Sequence, residues 1–245
     1  METSKPDVDA IFFDAVGTLF EVRGSVGAIY SRIAARHGLV TDPAEVETEF
    51  RAAFNAKSLE GMTPGPSSGF CEEKAWWMDL VRRVFSGRMP PDALRDYFDD
   101  VFEAFRGAQA WAIDPGTPPV LERLRSSGYR LAVLSNFDSR LFDVLANLGI
   151  DSFFERVVVS WHAGSAKPDP GIFRRALAAM HVSAPRAIHV GDSLREDVEG
   201  ATAAGLHAAL LDRRGRHPAW NPAYRLESLS ELLCILPGRV SRTVL

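Results

Sequence analysis

The first apolar segment of the chain delivers one carboxylate to the place where an open α/β sheet binds its ligands. Residues 10–13 are apolar and predict a short buried strand, which ends at Asp14 and leads into a tight turn at Gly17 and Thr18. Ligands of such sheets bind beyond the carboxyl ends of parallel strands, so an acid here indicates chemistry rather than solvation. Where a second acid would complete a pair of nucleophile and general acid, the chain has Val16.

Polar side chains also follow three later strand-like segments. These side chains are Ser135 with Asn136, then Lys167, and then Asp192. Taken singly, each has an ordinary structural explanation as a turn residue, a helix cap or a solvated charge. If the strands are parallel and adjacent, however, two carboxylates, a lysine and a hydroxyl meet at one edge of the sheet. That combination is suited to binding a hard cation together with an anionic group.

The elements that must position these residues alternate between strands and helices. Apolar strand-like runs lie at residues 130–135, 156–160, 187–191 and 207–211, and helical spacing of apolar residues appears near 120–124, 141–148 and 172–180. Such alternation predicts right-handed βαβ crossovers and a parallel sheet covered on both faces. The sequence therefore predicts an α/β fold with a Rossmann-like core domain formed by residues 1–20 and 113–245.

Residues 21–112 have a different pattern, with no strand-like run. They contain four apolar stripes at helical spacing, near residues 26–33, 46–54, 77–85 and 94–105. This pattern predicts an all-helical, four-helix cap domain inserted into the core. Since the insert begins directly behind Asp14, a hinged cap would cover the acid and exclude water.

Composition limits the classes of partner and compartment. The chain has 245 residues, 46% of them hydrophobic and 24% charged, with a net charge of −4, which gives no electrostatic case for binding nucleic acid. No apolar run approaches the roughly 18 residues of a membrane span, and the first residues lack the apolar core of a signal peptide. The two cysteines, Cys71 and Cys234, have no metal-ligand spacing, and we expect them to be reduced and structural in a cytoplasmic protein. The oligomeric state stays open.

In order and spacing, the polar residues resemble the four motifs of the haloacid dehalogenase (HAD) superfamily. The motifs read Asp14-Ala-Val-Gly-Thr18, Ser135-Asn136, Lys167-Pro168 and Gly191-Asp-Ser-Leu-Arg-Glu-Asp197. More narrowly, four stretches look like the subgroup of haloacid dehalogenase-like hydrolase domain-containing protein 3: Ala34-Ala-Arg-His-Gly-Leu39, Trp76-Trp77, Ser135-Asn-Phe-Asp-Ser-Arg-Leu141 and Lys167-Pro-Asp-Pro-Gly-Ile-Phe173. The resemblance covers nearly the whole chain, including the position of the cap.

The resemblance implies a catalytic role for Asp14 as a nucleophile that forms an aspartyl-phosphate, which water then hydrolyses. It implies that Mg²⁺ is held by Asp14, Asp192 and the backbone carbonyl of Val16, a contact that a valine can still make. Ser135 and Lys167 are expected to act in catalysis and in gripping the phosphoryl group.

The resemblance also implies supporting roles for three further residues. Asn136 is expected among the substrate-binding residues, beside Ser135 and Lys167. Asp197 is expected to orient Lys167 or water at the metal, and Thr18 to support the turn behind the nucleophile.

Val16 stands where superfamily phosphatases carry an Asp that protonates the leaving alcohol, help that is typically worth 10²–10⁴-fold in rate. Three interpretations follow. The protein acts on substrates with good leaving groups, such as aryl or acyl phosphates. Alternatively, another group, such as His162 or a cap residue, serves as the acid. In the third, turnover has been lost and the protein is a non-catalytic module that binds a phosphorylated ligand or a protein.

Two branches of the superfamily also lack this Asp. The 2-haloacid dehalogenases attack carbon without a metal, and here the negative charge of Asp192 would disfavour their carboxylate substrates. Phosphonoacetaldehyde hydrolases use a cap lysine as a Schiff base, for which this cap offers only Lys57 and Lys74. The sequence therefore predicts a Mg²⁺-dependent phosphatase of weak or restricted activity on a small phosphorylated molecule, with the binding module as the alternative and dehalogenation as a lesser one.

Overall fold

The computed structural model describes residues 6–59, 69–217 and 224–236, and its centre is a six-stranded parallel sheet. The strands of the protein are β1 (Ala10–Phe13), β2 (Phe20–Val22), β3 (Trp111–Ile113), β4 (Arg130–Ser135), β5 (Arg156–Val159), β6 (Ala187–Gly191), β7 (His207–Leu211) and β8 (Arg225–Leu226). The sheet order is β5-β4-β1-β6-β7-β8. The predicted α/β class with a parallel, Rossmann-like sheet is confirmed.

Strand β1 lies inside the sheet and is buried along its whole length. A parallel strand covered on both faces needs apolar side chains at every position, which is why this strand shows no polar alternation. Its last residue, Phe13, is in register with Val133 of β4 and Val190 of β6. The residues that follow these three strands consequently lie at one edge of the sheet.

Helices cover both the sheet and the region in front of that edge. The helices are α1 (Val26–Arg36), α2 (Pro43–Leu59), α3 (Phe70–Val84), α4 (Pro91–Ala104), α5 (Thr117–Ser126), α6 (Arg140–Asn147), α7 (Ser160–Ala163), α8 (Pro170–Ala179), α9 (Gly200–Ala203) and α10 (Leu232–Ile235). A π-helical segment, Leu194–Glu199, precedes α9.

Helices α1 to α4 form the predicted helical cap, and their shared interior is strongly aromatic. The Tyr30 ring lies against the rings of Phe50, Phe85, Tyr97 and Phe105, with centroids 5.5–6.4 Å apart. Aromatic pairs at such distances bury large apolar areas in defined orientations. These cap residues belong to the same buried apolar cluster as one face of the sheet, so the cap and the sheet share a continuous core.

A short antiparallel ribbon connects the cap to the sheet, where the sequence predicted no strand at all. Strand β2 pairs with β3, so that Phe20 lies opposite Ile113 and Val22 opposite Trp111. Strands of three residues are too short to show an alternating pattern, which explains why this prediction was wrong. The predicted boundaries between core and cap fall within this ribbon, and the division into two domains stays a prediction.

One smaller expectation also differs from the structure, since both cysteines are free and exposed rather than structural. No helix of the described residues has the length and apolarity needed to cross a membrane.

Candidate active site

The candidate nucleophile, Asp14, lies directly beyond the central strand and is only 8% exposed. Its backbone N–H donates to the carbonyl of Val190 at 2.9 Å, which continues the ladder between β1 and β6. Ser135 Oγ and Lys167 Nζ both donate to Asp14 Oδ1, at 3.0 and 2.6 Å. The structure thus brings together three residues that are far apart in sequence, as predicted.

Lys167 is held between two carboxylates. Besides Asp14, its Nζ donates to Asp197 Oδ1 at 2.6 Å, and both side chains are buried. Burial opposes charge on the ammonium group, but the two carboxylates outweigh it and raise the pKa of Lys167 above its usual value. The lysine therefore stays protonated at neutral pH.

Asp197 positions this lysine with the help of His189, a residue that the sequence analysis missed. His189 lies in β6, and its Nε2 lies 2.9 Å from Asp197 Oδ1, while the backbone N–H of Ser193 donates to Oδ2 at 2.9 Å. Burial lowers the pKa of His189, which favours the neutral ring with its proton on Nε2. A histidine within an otherwise apolar strand was the available signal.

Asn136 lines the cleft in front of Asp14, but its amide is engaged by the backbone of Lys167. Its Nδ2 donates to the Lys167 carbonyl at 2.9 Å, and its Oδ1 accepts from the Lys167 N–H at 2.7 Å. Nδ2 also lies 3.2 Å from Glu196 Oε2. These hydrogen bonds tie Asn136 to the backbone of Lys167, and its expected role in substrate binding stays a prediction.

The carboxylates of Asp14, Asp192 and Asp197 each place an oxygen within 4.8 Å of the others. Burial raises the pKa of Asp14, and burial together with the charge of Asp14 raises the pKa of Asp192. A bound cation would offset this repulsion between the carboxylates. Hard oxygen ligands are those that Mg²⁺ prefers, so these residues fit the predicted metal.

Gly17 permits the close approach that this cluster needs. The residue has a φ of +89°, and a Cβ at this position would lie 2.7 Å from the Asp192 carboxylate. Glycine reaches this left-handed conformation without a steric cost, whereas any other residue would be strained and would displace Asp192.

Two arginines that follow β7 reach the same edge. Arg213 donates from Nη1 to the Gly17 carbonyl at 2.7 Å and from Nη2 to the Thr18 carbonyl at 2.9 Å. Arg216 Nη2 lies 2.9 Å from Asp192 Oδ2. Arg213 is therefore held against the turn that follows the candidate nucleophile. The Thr18 hydroxyl is buried without a hydrogen-bond partner, so Thr18 supports the turn through its backbone.

Val16 lies between a polar cleft and an apolar cavity. The polar cleft lies in front of Asp14 and is lined by Ser135, Lys167 and Asp192 among others. The apolar cavity lies under the cap. Among the residues that the structure describes, Val16 and Phe54 line both chambers, so the residue in place of the expected acid lies where the two chambers meet.

The groups considered as substitutes for the missing Asp lie elsewhere. His162 is half exposed, sits 3.6 Å from Glu73 and does not line the polar cleft. Lys57 is paired with Asp79 at 2.6 Å, and Lys74 with Asp99 at 2.7 Å. Neither lysine lines the cleft, so the contacts of the described residues give no support to a Schiff base in the cap.

The fold and this site define a class of hydrolases, and comparison with known proteins agrees. A family model described as haloacid dehalogenase-like hydrolase matches residues 8–205. The chain therefore belongs to the haloacid dehalogenase-like hydrolase family. It is 38% identical over 201 residues to haloacid dehalogenase-like hydrolase domain-containing protein 3 of Mus musculus, covering 81% of this chain and 80% of the relative. The predicted resemblance to that subgroup is confirmed.

Solved structures share the fold at lower identity. A HAD phosphatase from Thermococcus onnurineus superposes with a TM-score of 0.69 at 23% identity, covering 95% of this chain and 99% of the other. A defluorinating L-2-haloacid dehalogenase superposes with a TM-score of 0.77 at 22% identity, covering 96% and 99%. Because phosphatases and dehalogenases both appear, the reaction must be argued from the site.

Proposed function

We propose that the protein is a Mg²⁺-dependent phosphohydrolase that forms an aspartyl-phosphate on Asp14 and acts on a restricted set of small phosphorylated molecules. The observation that carries the proposal is the pairing of Lys167 with Asp14 Oδ1 beside a second carboxylate, Asp192. A lysine and a metal-type acid at one nucleophile serve phosphoryl transfer, which depends on positioning and charge neutralisation.

The chain's own residues supply most of the reaction. An oxygen of Asp14 attacks phosphorus, and the bond between phosphorus and the leaving oxygen breaks. Water then hydrolyses the aspartyl-phosphate, which regenerates the Asp14 carboxylate and releases phosphate. Ser135 and Lys167 hold the phosphoryl oxygens and the nucleophile in place, and Lys167 offsets their negative charge throughout.

The predicted metal would be held by Asp14, Asp192 and the backbone carbonyl of Val16. When bound, Mg²⁺ neutralises charge on the phosphoryl group and the nucleophile. Asp197 supports this arrangement indirectly, because its oxygens are engaged by Lys167, His189 and Ser193. Gly17 and Arg213 keep the backbone turn close to Asp192.

The activity is restricted because Val16 cannot protonate a leaving group. Without a general acid, the leaving oxygen departs as an anion, so substrates whose oxyanion is stable are hydrolysed fastest. Alkyl phosphates are therefore expected to be poor substrates, and aryl or acyl phosphates better ones.

Phosphate release from aryl, acyl and sugar phosphates, with Mg²⁺ and with chelator, tests the proposal. We expect metal-dependent release that is lost in Asp14→Asn, a variant that keeps the size of the side chain. Binding of phosphate ligands without turnover would instead indicate the non-catalytic module. Halide release from 2-chloropropionate that persists in chelator would indicate the dehalogenase.

The expected setting follows from the surface chemistry. We place the protein in the cytoplasm, because Cys71 and Cys234 are free thiols on the surface, as reducing compartments allow. The net charge of −4 favours a small-molecule substrate over nucleic acid as the partner.

A further inference from the structure

The apolar cavity under the cap has the size and chemistry of a binding site. Its volume is about 190 Å³. The lining residues are Val16, Val22, Val26, Tyr30, Phe50, Phe54, Trp77, Val81, Phe98, Val101, Phe102, Phe105, Trp111, Phe137 and Arg140. Almost all of them are aliphatic or aromatic, so the cavity favours an apolar occupant.

The charged residue of this lining is neutralised within the protein. Arg140 donates from Nε and Nη2 to Asp138, at 3.0 and 2.6 Å. Its guanidinium lies 4.5 Å from the centre of the Trp77 ring and 4.3 Å from that of Phe102. The positive charge of Arg140 is already compensated by these contacts, so this side chain does not favour an anionic ligand in the cavity.

The cavity adjoins the polar cleft, since Val16 and Phe54 line both. Val16 lies two residues after the candidate nucleophile. A substituent of a phosphoryl group held by Ser135 and Lys167 would therefore extend towards the cavity at the place where the two chambers meet.

The volume limits what the substituent can be. An apolar cavity of about 150 Å³ in another protein accommodates benzene, so about 190 Å³ suits one aromatic ring and little more. A sugar of similar size would leave its hydroxyl groups without hydrogen-bond partners among apolar side chains.

We infer that the cavity binds the leaving group of the substrate, and that the substrate is the phosphate monoester of a single apolar aromatic ring. This inference rests on the proposed phosphohydrolase function. The absence of an acidic side chain at Val16 supports the same inference, because an aryl oxide leaves as a stable anion and needs no acid at this position. An Asp at position 16 would also expose a carboxylate to the apolar cavity.

Steady-state kinetics with matched substrates provide the test. Phenyl phosphate and 2-naphthyl phosphate have leaving groups of similar acidity but differ by one ring. We expect kcat/KM to be about 10-fold or more higher for phenyl phosphate, the discrimination that a closely fitting apolar pocket achieves. Equal values for the two esters would overturn the inference.

Two substitutions fill the cavity from different walls. Val101→Phe and Val26→Phe are each expected to raise KM for phenyl phosphate by about 10-fold. We expect a smaller change in acetyl phosphate hydrolysis than in phenyl phosphate hydrolysis, because acetyl phosphate is too small to fill the cavity. Val40→Phe, at a position that is 90% exposed, is the matched control and should change neither substrate.

Phenol binding separates this inference from the proposed function. Trp77 and Trp111 line the cavity, so phenol should quench tryptophan fluorescence saturably in the wild-type protein and much less in either filled variant. Saturable quenching without any phosphate release would support the cavity as a site for an aromatic ring and would contradict the proposed phosphohydrolase function. Phosphate release without saturable quenching would retain the phosphohydrolase and reject the cavity as its ligand site.

Discussion

The polar cleft and the apolar cavity meet at Val16 and Phe54, but different interactions stabilise them. In the cleft, buried charges are paired at fixed distances, as with Lys167 between Asp14 and Asp197. The cavity instead depends on volume and on the apolar faces of the cap helices. Removing one partner of a buried pair leaves an uncompensated charge, whereas an apolar wall tolerates substitutions that conserve volume. Substitutions in the cleft should therefore act mainly through lost charges and hydrogen bonds, whereas substitutions in the cavity should act mainly through side-chain volume.

The largest effect is expected in the cleft, for Lys167→Met. The substitution conserves most of the side-chain volume but removes the cation that the buried carboxylates of Asp14 and Asp197 share. We expect activity to fall by about 10³-fold or more and unfolding to become easier by about 3–5 kcal/mol, the usual cost of breaking a buried pair. Phosphate release and chemical denaturation measure the two effects.

Lys74→Met is the matched control, because Lys74 forms a partly exposed ion pair with Asp99 in the cap. Exposed pairs contribute at most about 1 kcal/mol, and this residue lies away from the cleft. Similar losses in both variants would mean that the two chambers do not differ as proposed.

The next effect is expected at Val16, where the polar cleft meets the apolar cavity. Val16→Asp is expected to raise turnover of alkyl phosphates by about 10²-fold, the lower end of general acid catalysis. The same change should weaken binding of phenyl phosphate, because it places a polar group against the cavity. Val16→Asn has the same shape without an acid, and should reproduce only the second effect. An Asp variant with unchanged alkyl phosphate kinetics would show that the site has been remodelled beyond this residue.

A smaller effect is expected at the turn behind the nucleophile. In Gly17→Ala the new Cβ would meet the Asp192 carboxylate, so we expect Mg²⁺ affinity to fall by about 10-fold through displacement of a ligand. Titration calorimetry measures this affinity without turnover. Gly24→Ala has a similar φ of +80° but no neighbour within 4 Å, so it shares the backbone strain and should keep its Mg²⁺ affinity.

The smallest effect is expected where α3 of the cap meets the N-terminus of α6, which begins at Arg140. Glu73 of α3 accepts hydrogen bonds from the backbone N–H of Ser139 at 3.1 Å and from its hydroxyl group. Burial raises the pKa of Glu73 above its usual value of 4.5. The folded protein therefore keeps this proton to a higher pH than the unfolded chain, and stability is lost as the pH rises through the raised pKa.

Glu73→Gln conserves the shape of the side chain but cannot ionise, so the variant should not lose this stability as the pH rises. We expect its melting temperature relative to wild type to increase by a few degrees as the pH rises from 4.5 to 7.5, with little change in kcat for acetyl phosphate. Thermal unfolding at a series of pH values measures the difference. A constant difference across this range would mean that Glu73 does not titrate as its burial predicts.

Much of the fold was predictable because it depends on local patterns. The apolar run of β1 and the alternation of strands with helices indicated the parallel sheet, and four apolar stripes indicated the cap. The C-terminal segment shows the limit, since its apolar residues between 226 and 236 do not by themselves distinguish a helix from a strand. The structure has strand β8, Arg225–Leu226, followed by short helical turns ending in α10. Short apolar stretches fit a strand and a helix equally well.

The sequence by itself indicated that Asp14, Ser135 and Asp192 lie at or just beyond the ends of strands, and therefore that they meet if those strands are parallel and adjacent. The tertiary structure decided the strand order and brought Lys167 to the same edge through α7 and the loop that follows it. The tertiary structure decided the partners that approach from other directions, such as Arg213 on the carbonyl of Gly17, almost two hundred residues away. It also decided that the cap encloses an apolar cavity behind Val16. Helical periodicity shows which face of a helix is buried, but the space left between several buried faces depends on how they pack together.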